Sequence, residues 1–93
     1  MVAVDASPSG AGWVCEVAVE QAGERTLHKV HLTRADLERW AGGSRKEDVE
    51  DLVARSFDFL LQRERPASIL RQFDLSEITR YFPEYDSQFR LHA

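Results

Sequence analysis

The chain has a single cysteine, Cys15, along with one methionine, three prolines and five glycines among its 93 residues. A lone thiol forms no intramolecular disulfide and rules out a Cys-rich zinc site, so a reducing, cytoplasmic setting is expected. No run approaches the roughly 18 apolar residues of a membrane span, and residues 1–10 lack the basic stretch and apolar run of an export signal. Neither a membrane nor an export route is expected. Positive charge is not in excess either: 16 acids against 12 bases leave a net charge of -4. Such a balance repels a phosphate backbone unless the bases gather on one face.

What is present suffices for one core. Apolar residues make up 43% and charged residues 30%, a composition that folds, and the length sets one α+β domain over residues 1–93. Stability in so small a domain is marginal, and self-association would add to it.

Residues 7–12, Ser-Pro-Ser-Gly-Ala-Gly, are turn formers. They separate a short apolar start, Val2 and Val4, read as a marginal third strand, from a strand at 13–20. Residues 13–20 and 25–32 both alternate. If Gln21-Ala22-Gly23-Glu24 closes a hairpin over 13–32, facing residues have numbers summing to 45. One face then pairs Trp13 with Leu32, Cys15 with Val30, Val17 with His28 and Val19 with Thr26. The other pairs Glu16 with Lys29 and Glu20 with Arg25, and a one-residue slip would break both charge pairs.

Helices follow the hairpin. Thr33 with Asp36 caps a helix at about 34–41 that Gly42-Gly43 stops, and Ser44 with Glu47 caps the longest, about 45–64. Early acids and late arginines match its dipole. Val49, Val53, Ser56 and Leu60 centre its apolar stripe, and Leu52, Phe57, Phe59 and Leu61 widen it to about 200°. So wide a stripe predicts packing on two sides, against the hairpin and against either the C-terminal helices or another subunit. After Pro66, short helices are expected at 67–72 and, capped by Asp74 and Glu77, at 75–82, with residues 84–93 as a loose tail.

Three patterns raise chemistry. Val4-Asp5-Ala6-Ser7 followed by Gly10-Ala11-Gly12-Trp13 resembles the opening of ribonuclease H folds, which implies a metal-binding aspartate at Asp5. Such sites need several carboxylates, and no companions can be assigned, so Asp5 reads as a turn residue. Cys15 and His28 share a hairpin face, but that face is apolar and reads as core, while His31 points away and His92 lies in the tail. Residues 67–82 look like a helix-turn-helix offering Arg71, Thr79 and Arg80. Pro83 cuts its second helix short, and residues 61–93 balance arginines and acids evenly. No catalytic residue, cofactor or metal is expected, and nucleic acid is the lesser expectation for a partner.

The C-terminal stretch is rich in aromatics: Phe73, Tyr81, Phe82, Tyr85 and Phe89. Large rings near a chain end point to docking, on the protein's own core or on a partner. The block Ser56-Phe57-Asp58-Phe59-Leu60-Leu61-Gln62-Arg63-Glu64, then Ser68-Ile69-Leu70, Phe73-Asp74-Leu75 and Tyr81-Phe82-Pro83-Glu84-Tyr85, resembles one found in short uncharacterised bacterial proteins. The resemblance spans about residues 49–86. It implies a bacterial cytoplasmic protein with a shared helical core, and it assigns neither activity nor site residues.

The expectation is therefore a non-enzymatic interaction or regulatory module that forms a homodimer or binds a protein partner. Its candidate interface is Phe57, Phe59, Leu61, Tyr81, Phe82 and Tyr85.

Overall fold

Alternating side chains build three consecutive antiparallel strands, β1 (Val2–Ser9), β2 (Gly12–Gln21) and β3 (Glu24–Leu32). The computed structural model describes residues 1–91. The β2–β3 register sums to 45 throughout, with Glu16 facing Lys29 and Glu20 facing Arg25, as the charge pairing predicts. A two-residue turn, Ala22-Gly23, closes it with both residues at positive φ, 52° and 82°, the twist-matched hairpin geometry. Cys15, Val17, Val19, Thr26, His28, Val30 and Leu32 are buried on one face, so α+β is the observed class, with helices packed on that face.

The first strand is longer than expected. β1 runs through Ser7-Pro8-Ser9 and pairs with β2 from Val2↔Val19 to Ser9↔Gly12, so Asp5 lies mid-strand rather than in a turn. Pro8 is tolerated because β1 is an edge strand. Met1 and Glu20 exchange both backbone bonds, and pairs alternate in an antiparallel ladder. Hence the backbone of residues 2, 4, 6 and 8 faces the open edge. Pro8 has no N–H to offer there, and the Ala6 N–H donates to Glu50 Oε2 at 3.0 Å.

The first helix, α1 (Arg34–Trp40), follows the sequence closely. Asp36 Oδ2 accepts from the Thr33 N–H at 2.9 Å, and Thr33 Oγ1 accepts from the Asp36 N–H at 3.1 Å. The long helix is shorter than 45–64: α2 spans Lys46–Leu61. Its cap is one residue later than Ser44, because Asp48 rather than Glu47 reaches back to accept the Arg45 N–H, at 3.1 Å. It stops early because the residue before Pro66 must be extended, and the Arg63 and Glu64 N–H groups both close on the Leu60 carbonyl.

The expected helix at 67–72 is absent. Pro66–Ser68 forms a single 3₁₀ turn, and Gln72–Asp74 forms a short strand, β4, parallel to β3 in the register Val30↔Phe73. The sheet order is β1-β2-β3-β4. Phe73 and Leu75 are buried and Gln72 and Asp74 exposed, a period of two that outweighs the helical reading. The expected helix 75–82 divides into a 3₁₀ turn, Leu75–Glu77, and a single-turn helix, α3 (Ile78–Tyr81). Its cap is as predicted, with Glu77 Oε2 accepting the Asp74 N–H at 3.2 Å.

Residues 84–89 are not loose. Glu84–Phe89 forms α4, and Tyr85 is fully buried. Phe59 of α2 packs edge-on to Phe82, Tyr85 and Phe89, with ring centroids 5.4–6.0 Å apart. On the sheet side, Phe57 meets His28 and Phe73. The wide stripe of α2 is thus covered on both flanks, by the sheet and by the chain's own C-terminal segment. His92 and Ala93 lie outside the described residues.

Candidate functional site

The six residues expected at an interface separate into two groups. Phe57 and Tyr85 are 0% exposed and Phe59 is 4% exposed, so these three build the core. Leu61 and Phe82 are half-buried, while Tyr81 is 67% exposed. Burial is decided by the docking of α4. The rings of Tyr85 and Phe89 stack at 4.3 Å, and Trp40 Nε1–H donates to Asp86 Oδ1 at 2.9 Å. Arg63 lies 3.6 Å over the Phe59 ring, which closes the last open side of that residue.

Tyr81 and Phe82 instead line a groove of about 300 Å³ between the end of α2, residues 68–70, β4 and α3. That volume stands at the small end of ligand sites, enough for a few side chains. Leu60, Ile69, Phe73 and Ile78 form its apolar floor, and Leu70, 48% exposed, stands at its rim. Backbone conformation explains the shape. The extended step after the 3₁₀ turn points Ile69 inward and Leu70 outward, while the short α3 turns Ile78 in and leaves Tyr81 out.

Two carboxylates, Glu64 and Glu77, interrupt the apolar wall, and Glu77 is engaged in capping the Asp74 N–H. Glu64 is half-buried and makes no ion pair or side-chain hydrogen bond among the described residues, although it sits between two arginines. Arg63 reaches Glu84 at 3.4 Å and Arg65 reaches Glu24 at 3.0 Å instead. Burial with no compensating cation pushes the Glu64 carboxyl above the usual carboxylate range.

The other candidate groups are engaged structurally. The His28 ring is fixed by Leu70 O, 2.8 Å from Nδ1, and by Thr26 Oγ1, 2.7 Å from Nε2, so neither nitrogen is left to activate Cys15. The Cys15 thiol is fully buried, and burial, with Glu50 and Asp5 nearby, pushes its pKa up to about 12. Asp5 Oδ1 is 3.2 Å from Lys46 Nζ, which also lies 3.7 Å from Glu50. No three His, Cys, Asp or Glu side chains gather as metal ligands among the described residues. The two helices of a helix-turn-helix are missing from 67–82, where a 3₁₀ turn and a strand precede the single-turn α3. Arg71 and Arg80 are exposed, and Thr79 Oγ1–H is spent on Ser76 O at 2.7 Å.

No protein-family model matches the chain, and no curated protein or solved structure does either. Its function therefore rests on its own surface. Sequence reasoning found Tyr81 and Phe82 but missed Leu70 and Glu64. The available signal was the pair Ile69-Leu70 just after Pro66, where an extended chain must turn one of two adjacent aliphatic side chains outward.

Proposed function

We propose that this chain is a non-enzymatic interaction module that binds a protein partner through the apolar groove beside Tyr81. The observation that carries the reading is Tyr81 itself, a large aromatic side chain 67% exposed at the lip of an apolar groove that also exposes Leu70. Tyrosine is enriched among residues that dominate binding energy, because a rigid ring gives much contact area for little lost entropy. The buried positions named by the sequence, Phe57, Phe59 and Tyr85, support this surface from beneath.

A cytoplasmic, bacterial setting belongs to the same proposal. It is supported by the single cysteine, which leaves no intramolecular disulfide to form, and by the resemblance over residues 49–86. No helix among the described residues is long and apolar enough to cross a membrane.

The test is affinity capture from native lysate, with and without nuclease, using the wild-type chain and Tyr81→Glu. A nuclease-resistant protein partner retained by the wild type and lost by the variant supports the groove. Identical capture by both contradicts it.

A further inference from the structure

The sheet has two edges, and only one of them is long. β4 has three residues and β1 has eight, and an edge strand of that length offers a row of unpaired N–H and C=O groups to any other strand. Its sequence adds to the hazard, because Val2-Ala3-Val4 is apolar and uncharged. The ladder with β2 turns the backbone of residues 2, 4, 6 and 8 outward. Pro8 has no N–H, so the outward donors are those of Val2, Val4 and Ala6.

Ala6 is nevertheless only 2% exposed. Its cover comes from α2, where Lys46 and Glu50 stand one helical turn apart. Glu50 Oε2 accepts the Ala6 N–H at 3.0 Å and lies 3.7 Å from Lys46 Nζ, which in turn reaches Asp5 Oδ1 at 3.2 Å. The Ala6 side chain points to the packed face, so that of Asp5, its neighbour in the strand, points to the open one. Lys46 thus starts from a helix on the packed face and ends on a carboxylate of the open face. Glu50, Lys46 and Asp5 together pass around the rim of the sheet, across the backbone of residues 5 and 6.

We infer that Lys46 and Glu50 form a guard on the β1 edge that prevents two copies of this chain from pairing β1 against β1. A second copy is the strand to be excluded, because antiparallel pairing of one strand with itself closes around a two-fold axis and needs no other sequence. An arriving β1 would have to bring a carbonyl to the Ala6 N–H where the Glu50 carboxylate already sits. It would also have to displace the Lys46 ammonium from two carboxylates, and it would find no donor at Pro8. Only Val2 and Val4 still offer both backbone groups, too few to hold a partner strand. Charge at the rim and a proline in the strand are the devices that keep exposed sheet edges apart. The guard is independent of the groove, which lies at the β4 end of the sheet order.

Sedimentation velocity tests the guard on the wild type and on a chain carrying Glu50→Ala and Pro8→Thr, which frees the Ala6 N–H and restores a donor at position 8. A third chain adds Val4→Pro, which removes an outward donor that β2 does not use. The double variant is expected to self-associate roughly tenfold or more tightly than the wild type, and Val4→Pro to return it to the wild-type level. A double variant that associates no more than the wild type, or association that survives Val4→Pro, overturns the inference. Amide hydrogen exchange on the wild type gives a second reading that depends on no variant folding. The Ala6 and Val4 N–H groups face the same open edge, and Ala6 is expected to exchange roughly tenfold or more slowly because Glu50 holds it. Equal exchange at the two positions would mean that the edge is unguarded, and it overturns the inference as well.

Discussion

The Tyr85 hydroxyl lies 2.7 Å from Ser56 Oγ, inside the core and in the middle of α2. Ser56 spends its own proton on Leu52 O at 2.7 Å, so it must accept from Tyr85. A six-residue helix too short to persist alone is thereby tied to the longest one. Tyr85→Phe keeps the ring and removes one bond, at a cost of about 1 kcal/mol. Tyr85→Ala empties the site between Trp40 and Phe59 and costs about 3–5 kcal/mol. Urea unfolding of both variants measures the difference.

The β2–β3 turn is not at its stability optimum. Ala22 holds φ at 52°, a conformation that a side chain with a Cβ adopts at a cost of about 1 kcal/mol. Asn and Gly are the residues that this turn prefers. Ala22→Asn is expected to raise the urea midpoint by the equivalent of about 0.5–1 kcal/mol with an unchanged slope, and Gly23→Ala to lower it.

Acid should loosen the junction between β3 and the groove. Burial holds the His28 pKa below the ordinary value near 6.5; the Arg71 charge adds to this, and the bond to Leu70 O opposes it. The unfolded chain therefore takes up a proton at a pH where the folded one does not. The stability at stake is whole above pH about 6.5 and declines as pH falls towards the depressed folded value. Unfolding midpoints between pH about 7 and 5 should fall in the wild type and fall less in His28→Gln.

Cys15 should behave as a small hydrophobe. Its thiol is fully buried with a pKa of about 12, and the thiolate is the reactive form. A disulfide reagent at neutral pH should react only as fast as the chain opens, and fully in denaturant. Rapid native reaction would mean that this face is not sealed.

The hairpin was legible because three signals agreed on one register: alternation, two cross-strand charge pairs and a turn sequence. Thr33 and Asp36 marked α1 in the same local way. β4 was not legible, because three residues pairing in parallel with a distant strand leave only Phe73 and Leu75 as a trace. α4 was missed because its stability comes from the contacts of Tyr85 with Ser56, Trp40 and Phe59, not from its own six residues. That omission also misplaced the site. With residues 84–93 read as loose, the second flank of α2 was open to either the C-terminal helices or another subunit, and Phe57 and Phe59 were placed at an interface. Tyr81 and Phe82 were recognised as aromatics near a chain end, and Glu64 was hidden by the arginines beside it, which the fold sends elsewhere.

The central claim is that Tyr81 faces a protein partner. Its most direct test is a photo-crosslinking amino acid placed at position 81 in the native host, with exposed position 9 on the sheet's far edge as the control. The account predicts a discrete crosslinked protein, either a second copy or another chain, from position 81 and none from position 9. No product at position 81, or the same products from both positions, would contradict it.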